Sequence, residues 1–183
     1  MLYTDVMVDI ETTGTMPDRH GILQISAVKF NLEEMTVDPE FFNVCMFNAP
    51  HRSWDQGTVA WWNRKPDVLK SIMQRAQPYQ KAIGDFADWS YPAGHLRFWS
   101  KPSHFDFMFL SSYFNDAGLG NPFHYREAYD MHSYLRGLWF PEVPPNLEVR
   151  VAGPAHDALN DTLWQLKTLF AHIQARKEKL SGS

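Results

Sequence analysis

The chain has 183 residues, with 17 Lys and Arg against 21 Asp and Glu, a net charge of −4, and 13 Phe, 7 Trp and 7 Tyr. A length near the ~150 residues typical of one domain predicts one compact unit that buries roughly 70% of its unfolded surface, and the 44% hydrophobic and 21% charged fractions exclude a disordered chain. No apolar run reaches the ~18 residues of a membrane span, Met1 to Asp5 carry no signal-type pattern, and Cys45 has no partner for an internal disulfide, so the chain reads as cytoplasmic, while its acidity argues against a broad basic surface wrapping duplex nucleic acid.

The first 48 residues read as three strands, Met7 to Glu11, Ile22 to Phe30 and Phe41 to Phe47, each rich in β-branched or aromatic residues. The segment from Thr12 to Asp18, with Gly14 and Pro17, marks the turn between the first two. From Thr58 to about Tyr91 the spacing turns helical, and Pro66 and Pro78 each stand where a helix can begin. A short strand from Leu96 to Trp99 leads into an apolar helix around Phe105 to Phe114, which Gly118 closes. Asp130 precedes another helix, running to about Trp139, and Pro141 to Pro145 form a stiff connector. Leu159, Leu163, Leu166, Phe170 and Ile173 then draw one apolar stripe on a long last helix, with residues 178–183 expected as a frayed tail. Strands first, then helices interrupted by one more strand, predict an α/β fold with a mixed sheet flanked by helices.

Asp9 and Glu11 sit two apart in a segment that otherwise reads as an interior strand. Side chains alternate across a strand, so both carboxylates project from one face beside apolar neighbours, where a bound divalent cation is the natural partner. A second acidic pair, Asp38 and Glu40, is split by Pro39 and reads as a solvated turn. His156 and Asp161 stand five apart at the start of the last helix, with Asp161 about 200° from Leu159 and therefore off the apolar stripe. Asp106 follows the Leu96 to Trp99 strand; Asp130 offers the same aromatic-Asp dipeptide and Asp85 lies within a helical segment, so both remain rivals to it. Cys45, in an apolar strand, reads as a small buried hydrophobe.

Taken in order, Asp9-Ile10-Glu11-Thr12-Thr13-Gly14, Ile22 to Val28, Phe105-Asp106 and His156-Asp157-Ala158-Leu159-Asn160-Asp161 resemble the DnaQ-like 3′–5′ exonuclease superfamily in its histidine-containing branch, over nearly the whole chain. Thr58 to Trp62, with its tryptophan pair, and Trp99 make it most similar there to the exodeoxyribonucleases of the exonuclease VIII and DexA type. The resemblance implies a ribonuclease H-like mixed five-stranded sheet flanked by helices, in a single exonuclease domain over residues 1–183. It implies that Asp9, Glu11, Asp106 and Asp161 ligate two divalent cations, Mg2+ or Mn2+, and that His156 acts as general base. The activity it implies is release of nucleoside 5′-monophosphates from DNA 3′ ends. An exoribonuclease, or a non-catalytic nucleic-acid-binding or polymerase-associated module on the same fold, are the alternatives. The family pattern also points to Thr12, Thr13 and Met16 as a cradle for the terminal nucleotide. Of the adjacent Trp61 and Trp62, which diverge by about 100° on a helix, one is expected in the core and Trp61 on a base. Where the family usually has Asn before the second-motif Asp, this chain has Lys101, which could touch a phosphate. His132 likewise stands where an Arg is common.

Overall fold

The structure is a computed structural model that describes residues 3–91 and 95–182; Met1, Leu2, residues 92–94 and Ser183 of the expected tail lie outside the described residues. At its centre is β1 (Asp5–Thr12), which pairs antiparallel with β2 (Ile22–Asn31). Further strands are β3 (Thr36–Val37), β4 (Phe42–Met46), β5 (Ala76–Gln77), β6 (Arg97–Ser100) and β7 (Ala128–Asp130). The sheet order is β5-β4-β2-β1-β6-β7, with β3 beside β2, and β6 runs parallel to both β1 and β7.

The mixed sheet is as expected, but its strand count is seven among the described residues rather than five. The two additions, β3 and β5, are two-residue pairs too short to leave a periodic signal. β7 has three residues, Ala128 to Asp130, and gains its strand geometry from pairing with β6.

The helices are α1 (Gln56–Trp62), α2 (Pro66–Arg75), α3 (Tyr79–Ser90), α4 (Ser103–Asp116), α5 (Met131–Trp139) and α6 (Ala158–Ser181). Pro66 opens α2 and Pro78 caps α3, as the sequence predicts. Alternation along β1 divides the core. Val6, Val8 and Ile10 pack with Ile83 and Phe86 of α3 and Phe109 and Leu110 of α4. Met7 joins Val28, Phe30 and Trp99 against Leu135 of α5 and Leu166 and Leu169 of α6. Asp5, Asp9 and Glu11 therefore share the face that α6 covers. Cys45 is buried with Leu23, Trp62 and Ile72 in a smaller cluster under α1 and α2.

α6 departs from expectation in two ways. It is helical to Ser181, with the Gly182 amide donating to the Glu178 carbonyl at 3.1 Å, so most of the segment expected as a tail is helical in the structure. Its buried stripe is also rotated: Ala158, Thr162, Gln165, Leu166, Leu169, His172 and Ile173 are buried, whereas Leu159, Leu163 and Phe170 are half-buried. Among the described residues no helix is long and apolar enough to cross a membrane.

Candidate active site

The last residues of β1 and the first of α6 meet at a cleft of about 450 Å³ whose lining includes Asp9, Glu11, Thr12, Trp61, Phe105, His156 and Asp161. Two local devices fix the α6 side. Asp157 caps the helix by accepting from the Leu159 amide, and the Ala158 amide donates to Gln24 Oε1 on β2 at 3.1 Å. Arg75 of α2 pairs with Asp157 at 2.9 Å, tying that cap to the neighbouring helix. His156 precedes the cap with φ +66°, a left-handed conformation held in part by its amide donating to Asp161 Oδ2 at 3.0 Å.

Glu11, His156 and Asp161 each present a donor atom within 4.8 Å of the others, a spacing that suits a common cation. Asp106 enters from the first turn of α4, and its Oδ1 accepts from the Ile10 amide at 3.1 Å, between the two β1 carboxylates in sequence. Its rivals are held by other contacts. Asp130 caps α5 by accepting from the Ser133 amide, and Asp85 pairs with Lys81 on α3. Asp38 and Glu40 lie together in the connection after β3, where the Glu40 amide donates to Asp38, as a solvated turn should.

The electrostatics of the cleft are unfavourable to the bare protein. Burial, then the charges of Asp106, Glu11 and Asp161, hold the Asp9 carboxyl well above the usual carboxylate range. Glu11 is raised well above its ordinary value by burial and then by Asp161, Asp157 and Asp106. Burial raises Asp106 to about 7, partly offset by the Ser100 hydroxyl and the Ile10 amide. Asp161 is raised by burial despite its contact with the His156 amide. Asp5, on the same face of the same strand, shows the contrast: it receives hydrogen bonds from Arg97, Trp99 Nε1 and the Thr4 hydroxyl. The side-chain donor to Asp9 is Gln165 Nε2 at 2.6 Å, and the other end of that amide, Oε1, is buried without a hydrogen-bond partner. An all-oxygen set whose acids repel one another fits hard divalent cations, which would neutralise it.

The remaining predicted residues divide. Trp61 lines the cleft, edge-on to the His156 ring with centroids 4.7 Å apart, while Trp62 is buried and donates its indole N–H to the Thr12 carbonyl at 3.0 Å. Thr12 borders the cleft, but Thr13 is fully buried: its amide donates to the Gly21 carbonyl, its carbonyl accepts from Asp55, and its hydroxyl donates to Ser53. Thr13 therefore shapes the loop that holds Thr12. Met16 is exposed and is not in the cleft lining, and its amide donates to His20 Nδ1. Lys101 lies near Asp161, where its charge favours the carboxylate, and its Nζ rests 4.5 Å from the centre of the Trp164 ring. Gln165 was not legible as a site residue; its place one turn beyond Asp161, about 40° away around the helix, is the signal that could have found it.

A sequence-family model for the 3′–5′ exoribonuclease Rv2179c-like domain matches residues 4–173. The chain belongs to that family. No curated protein sequence matches the chain. Among solved structures, this Rv2179c-like domain is similar to the zinc-bound form of E. coli exonuclease I in complex with single-stranded DNA, with a TM-score of 0.72 at 16% identity, covering 100% of this chain and 45% of that one. An exonuclease I from Methylocaldum szegediense gives a TM-score of 0.71 at 18% identity, covering 96% of this chain and 41% of that one. The Rv2179c-like domain thus spans less than half the length of the chains it matches, and likeness at this identity carries the fold. Family and fold together place it in the DnaQ-like 3′–5′ exonuclease superfamily, with the ribonuclease H-like sheet expected from sequence. Neither comparison singles out the exonuclease VIII and DexA type.

Proposed function

We propose that the protein is a metal-dependent 3′–5′ exonuclease that releases nucleoside 5′-monophosphates one at a time from a nucleic acid 3′ end. The observation that carries this reading is the convergence of Asp9, Glu11, Asp106 and Asp161 on one cleft, where burial and their mutual repulsion outweigh the nearby charges of Lys65 and Lys101, in a chain of this family. Asp9, Glu11 and Asp161 would hold one Mg2+ or Mn2+ ion, with Asp9 and Asp106 serving a second. Two such ions supply a nucleophilic water at neutral pH and stabilise the attacking and leaving oxygens of phosphoryl displacement.

The chain's own groups do the rest. Burial lowers the His156 pKa, so its imidazole is neutral at neutral pH and free to accept a proton from water. Its Nδ1 stands 4.0 Å from Asp161 Oδ2, beyond a hydrogen bond, so the ring is not committed to that carboxylate. Trp61 limits the ring's movement and offers its own exposed surface to the terminal base. Gln165 orients Asp9, and the buried Thr13 holds the Thr12 edge of the cleft in register.

RNA is the first substrate of this reading, because the family is one of exoribonuclease domains. DNA, the preference expected from sequence, is the second, and its support is the fold shared with an exonuclease I solved with single-stranded DNA. Digestion of 3′- and 5′-labelled RNA and DNA oligomers in Mg2+, in Mn2+ and in chelator tests both. Stepwise shortening from the 3′ end, stopped by chelator and by Asp161→Ala, is expected; undiminished activity in purified Asp161→Ala protein overturns the metal assignment.

A further inference from the structure

A second cavity, of about 860 Å³, lies beside the carboxylate cleft, between α5, α6 and the Pro-rich connector after α5. Lys101 and Trp164 join the two: Lys101 acts on Asp161 and also lines this cavity, and Trp164 follows Asp161 by three residues on α6, one helical turn. Its charge differs from that of the whole chain. With a net charge of −4 overall, the lining holds Lys101, His132 and Arg136 and no acidic residue.

The cavity also holds polar groups that the protein leaves incomplete. Thr168, nine-tenths buried on the wall, has its hydroxyl oxygen without a hydrogen-bond partner. His172, also on the wall, accepts the Trp139 indole N–H at Nδ1 at 3.1 Å, and since an indole only donates, the His172 proton sits on Nε2. Cations, an aromatic ring and unspent polar groups in a space of this size match a nucleotide unit, with an anionic phosphate and a flat base.

We infer that this cavity binds the single-stranded segment immediately 5′ of the nucleotide being removed. The inference rests on the exonuclease reading above and adds to it the path of the strand. Lys101 stands at the junction, and Arg136 and His132, both exposed on α5, supply the phosphate contacts further along. The occupant is a polynucleotide rather than a free mononucleotide because Lys101, on the wall of this cavity, also acts on Asp161 of the cleft that takes the 3′ end.

The test is fluorescence anisotropy with 5′-labelled, hydrolysis-resistant phosphorothioate oligomers of two, four and six nucleotides, for the unmodified protein and for Arg136→Gln and His132→Gln. Affinity of the unmodified protein is expected to rise from two to six nucleotides. Arg136→Gln is expected to bind the six-mer about tenfold more weakly, the loss of one charge-assisted contact, and His132→Gln more weakly by a smaller factor, the loss of one hydrogen bond, while both bind the two-mer unchanged. The slope of log affinity against log salt should also fall by about 0.7 for each phosphate contact removed. Equal weakening at all lengths, no weakening, or no gain with length overturns the inference. So does selective loss of free AMP binding with six-mer binding intact, which would assign the cavity to a mononucleotide. Binding is read without turnover, so absence of nuclease activity with length-dependent binding retained rejects the exonuclease reading alone.

Discussion

Replacing Asp106 by Asn should make the metal-free protein more stable while removing its activity. Asp106 is 3% exposed and its carboxyl is raised from 3.8 to about 7, chiefly by burial. A folded-state value above the unfolded one means that the native protein holds the proton more tightly, so stability falls as pH rises from about 4 through 7 and then levels. About 3 units at ~1.4 kcal/mol each place the cost of the bare carboxylate above pH 7 at about 4 kcal/mol. Asn keeps the shape and the acceptor for the Ile10 amide, and its NH2 can donate toward the neighbouring Ser100 hydroxyl oxygen. The gain in chelator at pH 8 should therefore approach 4 kcal/mol, or roughly 8–16 °C in Tm for a chain of this size, and should vanish near pH 3.5. Thermal melts of both proteins at pH 3.5, 6 and 8 measure it. Saturating Mg2+ should then stabilise the unmodified protein, by ~2.7 kcal/mol at 100 times the dissociation constant, and the variant less. A variant no more stable than the unmodified protein at pH 8, or equally more stable at pH 3.5, refutes the reasoning.

Other groups give independent checks. His156→Gln should lower turnover by roughly 10²–10⁴-fold while calorimetry shows Mn2+ binding retained; lost metal affinity would make His156 a ligand instead. Trp61→Ala should weaken oligomer binding by ~1–3 kcal/mol in a titration, and an unchanged affinity would confine Trp61 to packing against His156. Cys45, whose thiol burial pushes up to about 11, should resist iodoacetamide at pH 8 in the folded protein and react once urea unfolds it, because only the thiolate attacks; rapid labelling of the native protein would contradict its burial.

The sequence carried the parts of this molecule that depend on short-range pattern. Alternation in β1 put Asp9 and Glu11 on one face, whereas Asp106 and Asp130 differ only in contacts across the fold: Asp106 accepts from the Ile10 amide beside those two, and Asp130, which also ends a strand of the sheet, caps α5. Where sequence reading fell short, a distant partner decides the outcome. Gln165 and Thr168 are polar residues on a helix, outside the apolar stripe, yet both are buried because α6 closes over a cleft that leaves them facing charge and cavity. Their burial rotates the stripe away from Leu159 and Leu163. Asp5 lies outside the expected Met7 to Glu11 strand, and only the arrival of Arg97 and Trp99 from β6 makes it a buried, satisfied carboxylate. Thr13 was assigned to substrate by its position in a motif, whereas its hydroxyl and amide are spent on Ser53 and Gly21.

The hydrogen bond from Gln165 to Asp9 joins residues 156 positions apart, and the four carboxylates are divided among the first strand, a middle helix and the last helix. With α6 undocked, Asp9 and Glu11 remain on β1 without Asp161 or the Gln165 amide beside them. The constellation at the cleft is therefore a product of the tertiary fold and of no single element, and it exists only while α6 is docked on β1.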